Sequence, residues 1–235
     1  RTIAGLDIGV TICEDAWQHC GATPNDYDSD PIAQIVEWGR QGVVLDATVN
    51  LSASPYHANK SETRIAVARS AAASLNHPFL LANQVGGNDD LLFDGRSIVA
   101  WPDGTAVVAP AWSQGVLLTD ISTPEGCSWL GEGEITTLLP EEELEENEDD
   151  LLNAIIIGLS DYCKKSGISK IVLGLSGGID SALAACIASA AVGPENVTGI
   201  SMPSKHSSQH SIDDARATAE ALGIIFSMQP ISDLH

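Results

Sequence analysis

A pair of glycines, Gly177-Gly178, separates a short apolar run from a long Ala-rich one. The first run, Lys170 to Leu175, reads as a buried strand, and the second, about Asp180 to Val192, reads as a helix. A strand that turns into a helix this abruptly belongs to a β-α-β arrangement with a parallel sheet. Adjacent glycines let the backbone approach a bulky anion and aim N–H groups at it. The helix N-terminus adds partial positive charge at the same place. Within Gly174-Leu175-Ser176-Gly177-Gly178-Ile179-Asp180-Ser181, the two serines add hydroxyl donors. Asp180 would repel a naked phosphate but suits a phosphate-bound Mg2+. A Walker A loop is excluded, because GxxxxGK[ST] is absent. On the residues alone, the loop is either an anion cradle or a plain strand-turn-helix connection capped by Asp180.

The rest of the chain repels anions. Its 235 residues carry 32 acids against 11 bases, a formal charge of -21. Non-specific nucleic-acid binding is therefore excluded, since nothing neutralises phosphates in bulk. Anionic membrane surfaces are disfavoured for the same reason. A hydrophobic share of 44% excludes wholesale disorder, and the length fits one large domain or two modest ones. Eight of the ten positions Glu141 to Asp150 are acidic, which reads as a solvated linker. The expected division is 1–139, an acidic linker 140–150, and 151–235.

Cys13, Cys20, Cys127, Cys163 and Cys186 are odd in number and widely spaced. They suggest neither a disulfide framework nor a metal site, and reduced thiols in a cytoplasm fit best. No apolar run is long enough to cross a bilayer and no leader is visible. The chain opens without Met, so it is expected to be an internal fragment.

The first half alternates strand and helix signals. Leu6, Ile8, Val10 and Ile12 are apolar at a period of two. A helix is predicted over Ile32 to Gln41, a strand over Val43 to Val49, a helix over Thr63 to Leu75 and a strand over Phe79 to Ala82. Short runs on either side of Pro102 to Gly104 read as a hairpin. After the acidic run, Leu151, Leu152, Ile155, Ile156, Leu159 and Tyr162 recur at helical spacing. A strand follows over Val197 to Met202. Ser211 is a candidate N-cap for a helix ending at Gly223, and Ile224 to Met228 begins another strand.

Cys13 ends the first long strand and opens CEDAW. It is either a small core residue or a nucleophile, and a nucleophile needs a base, a cation and an oxyanion site. Candidate polar groups lie in Asn50 to Tyr56, after a strand, with Lys60 close behind. Lys60 is otherwise a solvated lysine at a helix start. His206 and His210 are four apart, as a metal pair on a helix would be, but no third ligand is apparent.

SGGIDS resembles the pyrophosphate loop of the ATP pyrophosphatases, and MPSKHSS with Ser211 to Ala215 resembles NAD synthetase among them. GVTICEDAW resembles the cysteine segment of nitrilase-type amidases. NLSASPYHANK and NQVGGNDDLLFDGRSIVAWPDG resemble the glutaminase half of glutamine-dependent NAD synthetases. The resemblance covers about residues 5–120 and 151–231. It implies an α/β chain: part of a nitrilase-like α-β-β-α domain, then part of a Rossmann-like parallel-sheet ATP pyrophosphatase domain. It implies a carbon–nitrogen ligase in which Cys13 attacks glutamine, Ser54 and Lys60 hold it, and Gly174 to Ser181 bind ATP with Asp180 on Mg2+. Its partners would be glutamine, ATP and deamido-NAD, with assembly into homo-oligomers. Only twelve residues precede Cys13, and they contain neither the Glu base nor the Lys that nitrilase-type sites use upstream. The chain also stops at Ser232 to His235, before residues that would complete the Mg2+ and deamido-NAD sites. The segment is therefore expected to be incomplete for turnover. The alternatives are another amide-forming ATP pyrophosphatase and a non-catalytic scaffold.

Overall fold

The computed structural model describes residues 1–23, 27–145 and 148–231. It divides into two compact units. The first is Arg1–Gly86 with Leu91–Asp150, and the second is Gly87–Asp90 with the chain from Leu151 onward. In chain order the elements are β1 (Thr2–Ile3), β2 (Leu6–Ile12), α1 (Pro31–Arg40), β3 (Ala47–Ser52), α2 (Lys60–Leu75), β4 (Phe79–Asn83), β5 (Val85–Asn88) and β6 (Leu91–Asp94). Then come β7 (Ile98–Ala100), β8 (Ala106–Val108), β9 (Gly115–Asp120), β10 (Thr123–Gly131), β11 (Thr136–Leu138) and α3 (Glu148–Lys165). The chain continues with β12 (Ile171–Gly174), α4 (Ile179–Val192), β13 (Val197–Ser201), α5 (Gln209–Leu222) and β14 (Ile225–Met228).

The first unit is built on a seven-stranded sheet in the order β1-β2-β3-β4-β7-β8-β11. β2, β3 and β4 run parallel, with Thr11 opposite Asn50 and Asn50 opposite Leu81. Their carboxyl ends therefore share one edge. β7 and β8 form the antiparallel hairpin expected around Pro102 to Gly104. α2 lies on one face of this sheet, where Ile65, Ala68 and Ala72 meet Phe79, Leu81 and Ile98 in the main core. Small alanines let the helix axis sit close to the sheet. On the other face, Leu117 and Cys127 of the β9–β10 ribbon pack on Val99 and Val107. The described residues thus supply one helix layer and one sheet layer of an α-β-β-α arrangement.

Two expectations shift. The apolar period of β2 points away from the helices: Val10 is 51% and Ile12 64% exposed, while Gly9 and Thr11 are buried. Gly9 explains the choice of face, because a Cβ there would lie 2.6 Å from Thr48 Oγ1 and 3.1 Å from Leu45 Cδ1. The predicted strand Val43 to Val49 is displaced to Ala47–Ser52, and Val43 and Val44 are exposed.

The acidic run is not solvated throughout. Arg69 donates to the carbonyls of Leu139 (2.6 Å) and Glu142 (3.0 Å), and Leu144 packs against the main core. Asp150 is 7% exposed, paired with Arg96 at 2.8 Å and accepting from Trp112 Nε1 at 3.2 Å. Glu146 and Asn147 lie outside the described residues, as do residues 24–26, in a stretch from Cys20 to Asp30 whose sequence reads as a mobile loop or an ordinary surface excursion, and the terminal Ser232 to His235.

The second unit carries a parallel sheet, β12-β13-β14, in β-α-β-α-β order. Leu175, Ala185, Val197, Ala215 and Ala219 form its core. α5 begins one turn earlier than expected. Its N-cap is Ser208, whose Oγ accepts from the Ser211 N–H at 3.2 Å.

Candidate functional site

The carboxyl edge of the three parallel strands gathers the residues of the thiol half. β2 ends at Ile12, and Cys13 follows with φ +47 before a 3-10 turn over Cys13–Ala16. A non-glycine residue in the left-handed region costs roughly 1–2 kcal/mol, so neighbours must hold it there. Asp15 accepts from the Ile12 N–H at 2.8 Å, and Asn50 donates to the Cys13 carbonyl at 3.2 Å. The Cys13 thiol is half-buried. Glu14 beside it accepts from the Tyr27 hydroxyl at 2.7 Å and from the Thr23 hydroxyl.

Ser54, two residues past β3, is 3% exposed. Its N–H donates to Asn83, the last residue of β4, at 2.9 Å. Its buried hydroxyl has no partner among the described residues. Such an orphan costs about 1–3 kcal/mol unless something else satisfies it, which fits a residue that waits for a ligand. Lys60 opens α2, with its ammonium 5.2 Å from the Trp17 ring centroid. Burial lowers its pKa and the Arg64 charge adds to that, while Cys13, Asp94 and Glu14 pull it back up. Lys60 is thus partly buried at the start of α2, against Trp17.

Sequence reasoning missed the layer beneath. Arg64 and Asp94 are fully buried and paired, and Arg96 donates to Ser61 at 2.8 Å. Arg64 Nη1 and Asn83 Nδ2 both donate to the Gly95 carbonyl, at 3.3 and 2.8 Å. The available signal was Arg64 one helical turn from Lys60 on an otherwise Ala-rich face.

In the second unit, β12 ends at Gly174 and α4 begins at Ile179, with no side chain capping the helix at Gly178. Gly177 has φ +82, and a Cβ on it would lie 2.2 Å from the Ser211 carbonyl oxygen. Leu175 is buried and anchors the loop through its N–H to Ile200 O at 2.9 Å. Ile179, Asp180 and Gly178 are exposed at the helix start. Ser176 and Ser181, expected as ligand donors, bond each other at 3.0 Å, and Ser176 Oγ also takes the Gly178 N–H at 3.2 Å. They shape the loop in this state. Ser201, Met202, Ser207 and Ser211 join Leu175 and Ser176 around a cavity of about 120 Å³. The MPS…SS string therefore lies against the glycine loop.

Among the described residues, no group of three or more His, Cys, Asp or Glu is placed to hold a metal ion; His206 precedes α5 and His210 lies in its first turn, so the two do not form a pair on one helix. No helix among them is long and apolar enough to cross a membrane.

Residues 3–129 match the family model for carbon-nitrogen hydrolases, and residues 151–235 match that for NAD synthase. A glutamine-dependent NAD(+) synthetase from a Synechocystis species is 42% identical, with 97% of this chain and 39% of that protein covered. The Aquifex aeolicus protein of the same name is 36% identical over 99% of this chain and 43% of its own. The structure of the Acinetobacter baumannii glutamine-dependent NAD+ synthetase in complex with ADP matches with TM-score 0.76 and 29% identity. That match covers 99% of this chain and 40% of that one. The chain thus spans about two fifths of the length of the curated relatives it matches. By its two matched segments, in this order and over most of its length, the chain belongs to the carbon-nitrogen hydrolase family in the form joined to an NAD synthase segment, as in the glutamine-dependent NAD synthetases.

Proposed function

We propose that the chain carries the glutaminase thiol and the nucleotide loop of a glutamine-dependent NAD synthetase. Residues 1–139 serve the first role, 151–235 the second, and 140–150 join them. The observation that carries this reading is the placement, past the carboxyl ends of the parallel strands β2 and β3, of a strained cysteine, a buried hydroxyl without a partner among the described residues and the partly buried lysine that opens α2. Crevices at the carboxyl ends of parallel strands are where open α/β sheets bind ligands.

In the first half, the Cys13 sulfur attacks the glutamine carboxamide carbon. The C–N bond breaks, ammonia leaves with a proton, and water then hydrolyses the thioester to glutamate. Ser54 and Lys60 hold the glutamine. In the second half, the exposed turn Ser176 to Ser181 receives the triphosphate of ATP at the uncapped start of α4. The deamido-NAD carboxylate displaces pyrophosphate and becomes adenylated, and ammonia then displaces AMP to give NAD. Gly177 fits this role, since any side chain would fill the turn against Ser211. Asp180 is the carboxylate that would hold a nucleotide-bound Mg2+, which supplies charge neutralisation at the phosphates. On this reading the enzyme is cytoplasmic, takes small-molecule substrates and assembles as a homo-oligomer.

The test is Cys13→Ala in the polypeptide that bears this segment, measuring NAD formation from glutamine and from ammonium. Glutamine-dependent formation should fall by about 10³-fold or more, with ammonium-dependent formation unchanged. Equal loss with both nitrogen donors overturns the two-site scheme.

A further inference from the structure

Asn50 lies in the middle of β3, directly opposite Thr11, and is fully buried. Its carboxamide is used on every side. Nδ2 donates to Thr11 Oγ1 at 3.0 Å and to the Cys13 carbonyl at 3.2 Å, and Oδ1 accepts from the Ser52 hydroxyl at 2.8 Å. The orientation is fixed chemically, because a backbone carbonyl only accepts and so must face the amide nitrogen. Cys13 itself sits at φ +47 immediately after its strand. A residue in that region keeps its geometry only when its surroundings over-determine it. Among the described residues, Asn50 is the side chain bonded to the Cys13 backbone from a neighbouring strand.

We infer that Asn50 is a positioning residue: its amide clamps the Cys13 carbonyl, fixes the left-handed turn, and so aims the sulfur at the glutamine carbonyl. Ser52 sets the clamp by orienting the carboxamide. The inference rests on the proposed role of Cys13, and its signature differs from that of a packing residue. A clamp governs the chemical step, so its loss lowers kcat with KM nearly unchanged. A packing residue lowers stability and drags both parameters with it.

Three variants separate these cases. Asn50→Asp keeps the size but turns a donor toward the Cys13 carbonyl into an acceptor. Thr11→Val removes the other partner of the same amide without touching Cys13. Ser52→Ala removes only the orienting hydroxyl, on a half-buried residue whose loss leaves the strand intact. Each is assayed for glutamine hydrolysis, for ammonium-dependent NAD formation, for melting, and for the pH profile of Cys13 alkylation by iodoacetamide, read by peptide mapping. Misplacing a reacting group by about 1 Å costs on the order of 10²-fold. Asn50→Asp should therefore lose about that factor in glutaminase kcat, with a shifted alkylation profile and ammonium-dependent activity intact. Ser52→Ala should lose a smaller factor in the same parameter, and Thr11→Val should keep kcat. Equal losses in Asn50→Asp and Thr11→Val overturn the inference, as does wild-type kcat in Asn50→Asp. Should Asn50→Asp fail to fold, the decision passes to Ser52→Ala, and an unchanged kcat there overturns it. If Cys13→Ala keeps glutamine use, the underlying function falls instead.

Discussion

At the scale of single residues, two left-handed glycines show how geometry separates a replaceable position from a fixed one. Gly21 has φ +70 with nothing within 4 Å of a Cβ, whereas Gly177 has φ +82 with a Cβ 2.2 Å from the Ser211 carbonyl. Alanine at Gly21 meets only the backbone penalty, about 1 kcal/mol. Alanine at Gly177 meets that penalty and must also push the first turn of α5 off the glycine loop. Gly177→Ala should therefore weaken ATP binding at least tenfold and lower the melting transition of the second unit by more than Gly21→Ala lowers that of the first. Calorimetric titration with Mg-ATP and thermal melts decide it, and unchanged affinity in Gly177→Ala would refute the fit. The glycine pair itself was legible in the sequence. Which member is irreplaceable was not, because the left-handed backbone of Gly177, the extended backbone of Gly178 and the approach of Ser211, 34 residues later, are set by the fold. The orphan hydroxyl of Ser54 was equally hidden, since its burial depends on β4 and its neighbours.

At the scale of elements, the limit of sequence reading is the choice of face. The period of two in Leu6–Ile12 correctly gave a strand, but that pattern cannot say which side the helices cover. Gly9 decided it by admitting Thr48 and Leu45 where a side chain would stand. The same limit applies to the acidic run. Composition marks it as solvated, yet one guanidinium from α2 fixes its first turn through Leu139 and Glu142. Each of those bonds is worth about 1 kcal/mol net, and somewhat more because the donor is charged. Arg69→Ala should release the segment 139–145, so that a Glu-specific protease cuts there several-fold faster in the native protein, with a modest drop in stability of about 1–2 kcal/mol. An unchanged cleavage rate would mean that Leu144 and the Asp150–Arg96 pair hold the run without Arg69. By contrast, the β9–β10 ribbon escaped prediction because its strands mix Thr, Ser, Gly and charged residues, and Leu117 and Cys127 find their partners in a cluster with Val99, Trp101 and Val107.

For the molecule as a whole, the charge of -21 sets how stability responds to salt. Two opposite effects compete. Salt weakens attractive surface pairs, and it also screens repulsion among the excess acids. The attractive side is small: Arg40–Glu37 is an exposed pair, at 73% and 52%, of a kind worth roughly 0.2–1 kcal/mol. The Arg64–Asp94 pair is fully buried, so salt barely reaches it. The repulsive side involves nearly three acids for every base. Screening should therefore win. Raising NaCl from about 10 mM to 150 mM shortens the Debye length from ~30 Å to ~8 Å, long enough and then short enough to cover or cut most surface separations. The lowest melting transition should rise by ~2–8 °C, the shift expected for about 1 kcal/mol in units of this size. A fall in melting temperature over that range would mean that specific ion pairs, not net charge, govern the surface. The same charge predicts no retention on a polyanion column at any salt concentration. On the proposed reading, ATP binding should nevertheless survive moderate salt, because a helix start and a glycine turn act on an anion at short range rather than through a basic field.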